Sequence, residues 1–459
     1  MNVRIVLCAV LCVLCAVSSG QWLETTIDLR DSLGGMSSPR CLTYNGTNNT
    51  IYVGGDSGNC VLAIDGATNQ VIARIPADTR VSALCYNPTN NKVYCANYVD
   101  GSVTVIDGAS NRAVTTIRVG RTPIDFCCNP TNNKVYCAVW YDSSVIVIDG
   151  AGDSVIATVA TGYGPFSLCY NPQNNKVYCA NVWSDSVTII DGARDSVIGS
   201  AIVDESPSAL CYNFQNDLIY CASFGANTVF VIDGESNRIV SVVVVDDAPF
   251  GLCYNPHDNK VYCANYTGNS VTVIDGASSQ RIATIAVGDY PFALCYNPSN
   301  NKVYCANSWD DYVTVIDGTT NRTLRTVTVG SGPWDFCHNP IQNRIYVASF
   351  YASTVAVLRD SMVGTEERSK PQALGSMPEP TVVRGVLYVG LGTRSELPGR
   401  NSVMSRVVLL DATGRRVMEL RPGANEVSRL SPGVYFVRER VPGAGDQGSA
   451  IIRKVVITR

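Results

Sequence analysis

The sequence predicts an all-β chain: an eight-bladed β-propeller, with seven blades as the alternative, followed by a small C-terminal β-sandwich. Three observations carry that expectation. A stretch of 42 residues, read best over 81–122 as VSALCYNPTNNKVYCANYVDGSVTVIDGASNRAVTTIRVGRT, recurs with almost no drift. Its Ile-Asp-Gly sets an aspartate at Asp65, Asp107, Asp149, Asp191, Asp233, Asp275 and Asp317, and a degenerate eighth copy has Leu358, Arg359 and Asp360 in those three places. Each unit holds four short β-branched or apolar segments and no helical period, and four strands in about 40–45 residues, repeated many times, build propeller blades.

The chain opens on residues 1–20, where Arg4 precedes an apolar run over 5–17 and the small residues Ser18, Ser19 and Gly20. This pattern reads as a cleaved signal peptide. The run of thirteen residues is short of the roughly 20 that a spanning helix needs, and no later stretch is long and apolar enough.

Within the repeat, residues 83–87 form a first strand that stops at Asn87-Pro88-Thr89-Asn90-Asn91, where proline presets φ and asparagine accepts left-handed geometry. Residues 92–97 return as the second strand. Residues 102–106 (SVTVI) form the third and end at Asp107-Gly108, and residues 113–119 (AVTTIRV) form the fourth and end at Gly120. The repeated aspartate is read as the turn residue of Asp-Gly rather than a calcium ligand. Triplets of the first three strands begin near Leu42, Leu84, Phe126, Leu168, Leu210, Leu252, Leu294 and Phe336. The eighth lacks a fourth strand, whereas residues 24–29 (ETTIDL) look like a fourth strand without a blade. The N-terminal strand is therefore expected to complete the last blade and close the ring.

Val93-Tyr94-Cys95-Ala96-Asn97, then Val103 through Gly108 (VTVIDG), then Thr116-Ile117-Arg118-Val119-Gly120, together with the Asn-Pro turn, resemble the YVTN family of β-propeller repeats over residues 21–360. Cysteine takes the family's second valine in six copies and alanine its threonine, which keeps both positions small.

Residues 361–380 are polar and Pro-bearing, a linker. Residues 381–459 hold strands near 382–389, 405–410, 416–420, 434–438 and 450–458, separated by Ala412-Thr413-Gly414 and Ser431-Pro432-Gly433, which suits a β-sandwich. Leu410 through Val417 (LDATGRRV), Leu430 through Val437 (LSPGVYFV) and the terminal Arg453 through Arg459 (RKVVITR) resemble the C-terminal sorting domain of the type IX secretion system. That resemblance implies export across an outer membrane to the surface or the medium, with the secretion machinery as a partner.

The formal charge of −4 is unevenly spread: from Ser361 onward 15 Lys and Arg oppose 9 Asp and Glu, so the signal and propeller carry about −10. An acidic propeller does not suit nucleic acid, which needs a basic face. Sixteen of the 19 cysteines follow the signal. Twelve fall in pairs spaced by ten, Cys85/Cys95, Cys127/Cys137, Cys169/Cys179, Cys211/Cys221, Cys253/Cys263 and Cys295/Cys305, at positions that can face each other across the Asn-Pro turn. They are either cross-strand disulfides or small buried thiols. The thiol reading is preferred because directly opposed strand residues usually sit a little too far apart for an unstrained bridge, and Cys337 supports it by meeting Val347 where a partner is expected; Cys41, Cys60 and Cys128 fit no ladder. The pairs lie on separate blades without Cys-x-x-Cys, so no metal site and no cofactor are expected. The two histidines, His257 and His338, have no nucleophile in their sequence context, and no catalytic residue stands out.

Function is expected where the repeat varies. Loops between the second and third strands, and between the fourth strand and the next blade, emerge on one face around the channel mouth. The first set holds Tyr98, Asp100, Trp140, Tyr141, Asp142, Trp183, Asp185, Phe224, Tyr266, Trp309, Asp310, Asp311, Phe350 and Tyr351. The second holds Asp125, Tyr163, Phe166, Phe250, Tyr290, Phe292, Trp334 and Asp335, of which Phe166, Phe250, Phe292 and Trp334 are also placed to pack between blades. Rings beside carboxylates suit a carbohydrate or peptide ligand. The candidate ligand-binding residues are Tyr98, Asp100, Trp140, Tyr141, Asp142, Trp183, Asp185, Tyr266, Trp309, Asp310, Asp311 and Tyr351. The expected function is an exported surface or secreted binding module; the alternatives are a lactonase-like hydrolase or lyase and a structural surface-layer component.

Overall fold

The computed structural model describes residues 21–30 and 35–360, together with strands between 381 and 457. Residues 21–360 form eight four-stranded antiparallel sheets, one per blade. Blade 2 is typical, with strands Val81–Asn87, Lys92–Asn97, Ser102–Asp107 and Arg112–Arg118. Its middle strands are buried on both faces, whereas the outer strand is mostly exposed, which is why the third strand is rich in β-branched residues and the fourth carries arginine and threonine.

The eighth blade consists of Pro333–Asn339, Arg344–Ser349 and Thr354–Asp360, and its fourth strand is the N-terminal segment Gln21–Asp28. Gln21 pairs with Asp360 and Asp28 with Thr354. The expected closure holds, and with it eight blades rather than seven. The N-terminal strand begins three residues earlier than the sequence suggested and is bound by more than its ladder. Arg344 grips the Glu24 carboxylate through Nη2 at 2.5 Å and Nε at 2.7 Å, and Gln21 Nε2 donates to Asp360 Oδ1 at 2.8 Å.

The degenerate eighth Ile-Asp-Gly has a physical reason. In regular blades the lysine and tyrosine of the second strand reach the glycine carbonyl of the next blade's Asp-Gly turn: Lys260 Nζ and Tyr262 Oη donate to Gly318 O at 2.7 and 3.1 Å. Asp360 stands in that glycine position in blade 8, and its carboxylate accepts from Lys302 Nζ at 2.8 Å and from Tyr304 Oη. Side chain has replaced main chain as the acceptor.

The repeated Asp-Gly behaves as a turn. Asp65 Oδ1 accepts from Ala67 N and Thr68 N at 3.1 and 2.7 Å, and Asp233 and Asp317 accept from the amide three residues on. The Asn-Pro turn does more. Its first asparagine, followed by Gly46 in blade 1 and Phe214 in blade 5, is buried and donates across the blade boundary to the last residue of the neighbouring turn: Asn45 to Asn91, Asn87 to Asn133, Asn129 to Asn175, Asn171 to Asp217, Asn213 to Asn259, Asn255 to Asn301, Asn297 to Asn343 and Asn339 to Asn49, at 2.6–2.9 Å. The accepting residues all sit at φ between 50° and 55°, the left-handed region that asparagine and aspartate tolerate. These eight bonds run round the whole ring.

Cores lie between blades rather than within them. Tyr94, Ala96, Val103 and Val105 of blade 2 pack on Phe126, Val135, Cys137 and Val139 of blade 3. The register corrects the expected facing of the cysteines. Cys85 pairs with Tyr94 and Cys95 with Leu84, one residue out of alignment, and the same offset recurs in the other five pairs. Because side chains alternate across a sheet, the two thiols of each pair point to opposite faces and cannot bridge. The sixteen cysteines of the described residues are free thiols.

Residues 366–459 form a second unit. Among its described residues, Thr381–Val383, Ala450–Ile457, Gly433–Arg440, Arg406–Leu410 and Arg416–Leu420 make one sheet in that order, and Val386–Val389 pairs with Gly423–Glu426. The strand expected over 382–389 is thus two strands in two sheets. The signal peptide, the linker and the face-to-face packing of a sandwich lie outside the described residues.

Candidate functional site

The first strands of all eight blades line a central channel, a cavity of about 500 Å³ bordered by Arg40, Arg80, Asp125, Ser167, Ser208, Phe250, Phe292 and Asp335 among others. One column of the repeat sets its rim: Arg40, Ser82, Ile124, Phe166, Ser208, Phe250, Phe292 and Trp334 each follow the residue that opens a first strand. Small Ser208 in blade 5 leaves room for Phe166 of blade 4 and Phe250 of blade 6 to meet edge-to-face at 6.1 Å. Phe250 stacks on Phe292 at 4.5 Å, and Phe292 lies 4.2 Å from Trp334.

The loops between second and third strands raise a further tier of rings above this rim. Buried asparagines anchor these loops: Asn97 Nδ2 donates to Ser102 Oγ and Thr104 Oγ1, both at 2.9 Å, and Asn181, Asn265 and Asn307 act alike. In blade 2 the loop ends on Gly101 at φ 66°, where a Cβ would come within 2.5 Å of Gly120 O. Trp140 meets Phe166 and Trp183 at 5.3 Å each, and Tyr141 lies 5.7 Å from Trp183. Tyr266 contacts Tyr290 at 4.8 Å and Tyr290 contacts Trp309 at 5.7 Å, while Phe350 joins Trp334 to Tyr351. Phe250 also lies 6.1 Å from Tyr266, so thirteen rings from blades 3 to 8 form one connected network.

Blades 1 and 2 complete the circle with cations. The Arg40 guanidinium lies over Trp334 and Phe350 at 5.3 and 5.4 Å, and that of Arg80 over Tyr98 at 4.3 Å. Asp56 holds both, 2.9 Å from Arg40 Nε and 3.3 Å from Arg80 Nε. The sequence reading passed over these arginines. The signal was present, since Arg40 occupies the column that is Phe or Trp in four other blades.

Of the residues named from sequence, Trp140, Tyr141, Trp183, Tyr266, Trp309 and Tyr351 enter the ring network, and Tyr98 joins the mouth through Arg80. The aspartates are tied to the backbone. Asp100 accepts from Thr79 N at 2.5 Å, Asp142 from Arg121 N at 2.7 Å, Asp185 from Ser206 N at 2.9 Å and Asp310 from Asp289 N at 2.7 Å. They shape the loops that present the rings. Asp311 gives its carbonyl to Val329 N. Asp100 and Tyr141 also border a hollow of about 440 Å³ with Arg118 and Arg121.

Two carboxyls stand in the channel wall. Asp125 accepts from Leu168 N of the next blade at 2.7 Å, and Asp335 from Leu42 N at 2.8 Å. Burial pushes Asp125 up to about 7 and Asp335 up to about 6, against the lowering effect of those amides. Among the described residues no group of three or more His, Cys, Asp or Glu is placed to hold a metal ion, and no helix is long and apolar enough to cross a membrane.

No protein-family model matches the chain, and no curated protein does. Solved structures do. Hydrazine synthase of Kuenenia stuttgartiensis aligns at 20% identity with a TM-score of 0.52 over 65% of this chain and 98% of that one. Sqt1 of Saccharomyces cerevisiae aligns at 11% identity with a TM-score of 0.64 over 74% and 99%. The dihydro-heme d1 dehydrogenase NirN, in complex with DHE, aligns at 14% identity with a TM-score of 0.60 over 75% and 76%. At these identities the likeness is one of fold, an eight-bladed β-propeller with diverse propeller neighbours.

Proposed function

We propose that the protein is an exported binding module, at the cell surface or secreted, that recognises a carbohydrate or peptide at the aromatic mouth and is directed by its C-terminal domain through type IX secretion. The observation that carries the binding reading is the connected ring network. Its outermost members, Tyr141, Trp183, Trp309 and Tyr351, are 54%, 53%, 68% and 58% exposed. An exposed and connected aromatic surface of this kind on one face marks a contact site. Rings offer flat contact to a sugar face or an apolar side chain, and Arg40 and Arg80 favour a ligand that also carries a carboxylate. Export rests on the apolar segment over 5–17 and on the sorting-domain motifs.

The test is a tryptophan-fluorescence screen of the full chain against neutral and carboxylated oligosaccharides and against peptides. Saturable binding supports the reading, with acidic members ahead of neutral ones. No response across the panel, with concentration-dependent self-assembly, would move the function to a structural surface layer. A second reading, a hydrolase or lyase of lactonase-like type, draws on Asp125 and Asp335, whose raised pKa values suit proton transfer near neutrality. Turnover of a lactone lost in Asp125→Asn would favour it.

A further inference from the structure

Position 128 breaks the repeat. Six of the eight blades carry tyrosine there, and in blades 2 and 4 its hydroxyl reaches back to the preceding blade: Tyr86 Oη lies 2.6 Å from Thr47 Oγ1, and Tyr170 Oη 2.7 Å from Thr131 Oγ1. Blade 3 has Cys127-Cys128 instead of Cys-Tyr, so the boundary between blades 2 and 3 lacks this bond. In its place the Cys128 Sγ lies 2.7 Å from the Cys85 Sγ of blade 2. That distance is inside ordinary sulfur–sulfur contact and a little beyond the bond length of about 2.05 Å. Both residues are half-buried, whereas the second-strand cysteines such as Cys95 and Cys137 are fully buried.

We propose that Cys85 and Cys128 are an oxidisable pair that forms a disulfide between blades 2 and 3, replacing the missing tyrosine hydrogen bond with a covalent link. The oxidant is a small-molecule disulfide. One cysteine thiolate attacks it, forms a mixed disulfide and releases one thiol; the other cysteine then attacks the mixed disulfide and releases the second. Two protein thiols are oxidised, the donor is reduced to two thiols, and the two cysteine protons end on those products. The alternation of the strand separates the adjacent thiols: Cys127 packs toward blade 4 with Leu168 and Cys179, while Cys128 packs with Cys85. The link joins residues 43 apart and is independent of what the mouth binds.

The experiment is to incubate the full chain with oxidised glutathione, alkylate under denaturing, non-reducing conditions, and map the peptides by mass spectrometry. One linked peptide pair containing Cys85 and the Cys127-Cys128 segment is expected, two hydrogens lighter than the sum of its free parts. It should persist in Cys127→Ala and vanish in Cys128→Ala and in Cys128→Tyr, which restores the repeat. Full alkylation of Cys85 and Cys128 after oxidation, glutathione stably attached to either, or a link that survives Cys128→Tyr would overturn the proposal.

Discussion

Asn213 shows how much one residue of the repeat carries. It is fully buried, donates to Asn259 at 2.9 Å across the blade boundary, and accepts from Gln215 N and Asn216 N at 3.0 and 3.3 Å. Asn213→Ala removes all three bonds, and should lower unfolding stability by about 1–2 kcal/mol in urea denaturation. From sequence the Asn-Pro motif was legible as a turn but not as a ring of bonds, because its acceptor lies 46 residues away. Asp125 gives a prediction of opposite kind. Its pKa is raised to about 7 in the fold against about 3.9 in the unfolded chain, so the folded state holds a proton that the unfolded state releases. This carboxyl therefore weakens folding progressively as pH rises from about 4 to 7. Asp125→Asn, which keeps an acceptor for Leu168 N, should gain on the wild type over that window, by on the order of 2–4 kcal/mol at pH 7.5 relative to pH 4. Equal pH dependence of the two proteins would rule this out.

Among the elements, the N-terminal strand is the one whose loss should matter most. Without Gln21–Asp28 the edge Thr354–Asp360 is open, and the Arg344 guanidinium, buried in the intact ring, loses its Glu24 partner. Protein lacking residues 21–28 should form higher oligomers in size-exclusion chromatography through the bare edge, and a peptide QWLETTID added in trans should reduce them. A monomer of unchanged melting temperature would contradict this. The strand was legible because seven complete fourth strands precede an eighth blade that has none. The cysteine register was not: spacing by ten fits either alignment of a hairpin, and only the pairing of Asn87 with Lys92 at the turn decides that Cys85 meets Tyr94.

At the scale of the whole molecule the two faces of the ring have divided their tasks. The Asn-Pro face is nearly invariant because every turn must bond to its neighbour, and variation there would break the circle. The mouth is free of that demand once buried asparagines and carboxylates have fixed its loops, so its outer positions can differ from blade to blade. Sequence variation at fixed positions of a repeat thus made the face legible, and the rings with it. Arg40 was legible as the odd residue of its column, but its seat over Trp334 and the meeting of Phe166 with Phe250 over Ser208 were not, since both depend on curvature bringing blades that are not sequence neighbours to one axis. The most direct measurement of the central claim is a tryptophan-fluorescence titration of wild type, Trp309→Ala and Phe214→Ala with the best ligand of the screen. Phe214 is 54% exposed in the Asn-Pro turn region, away from the mouth. At least a tenfold loss of affinity, about 1.4 kcal/mol, is expected in Trp309→Ala, and wild-type binding in Phe214→Ala. Unchanged affinity in Trp309→Ala, or loss in Phe214→Ala alone, would contradict the claim.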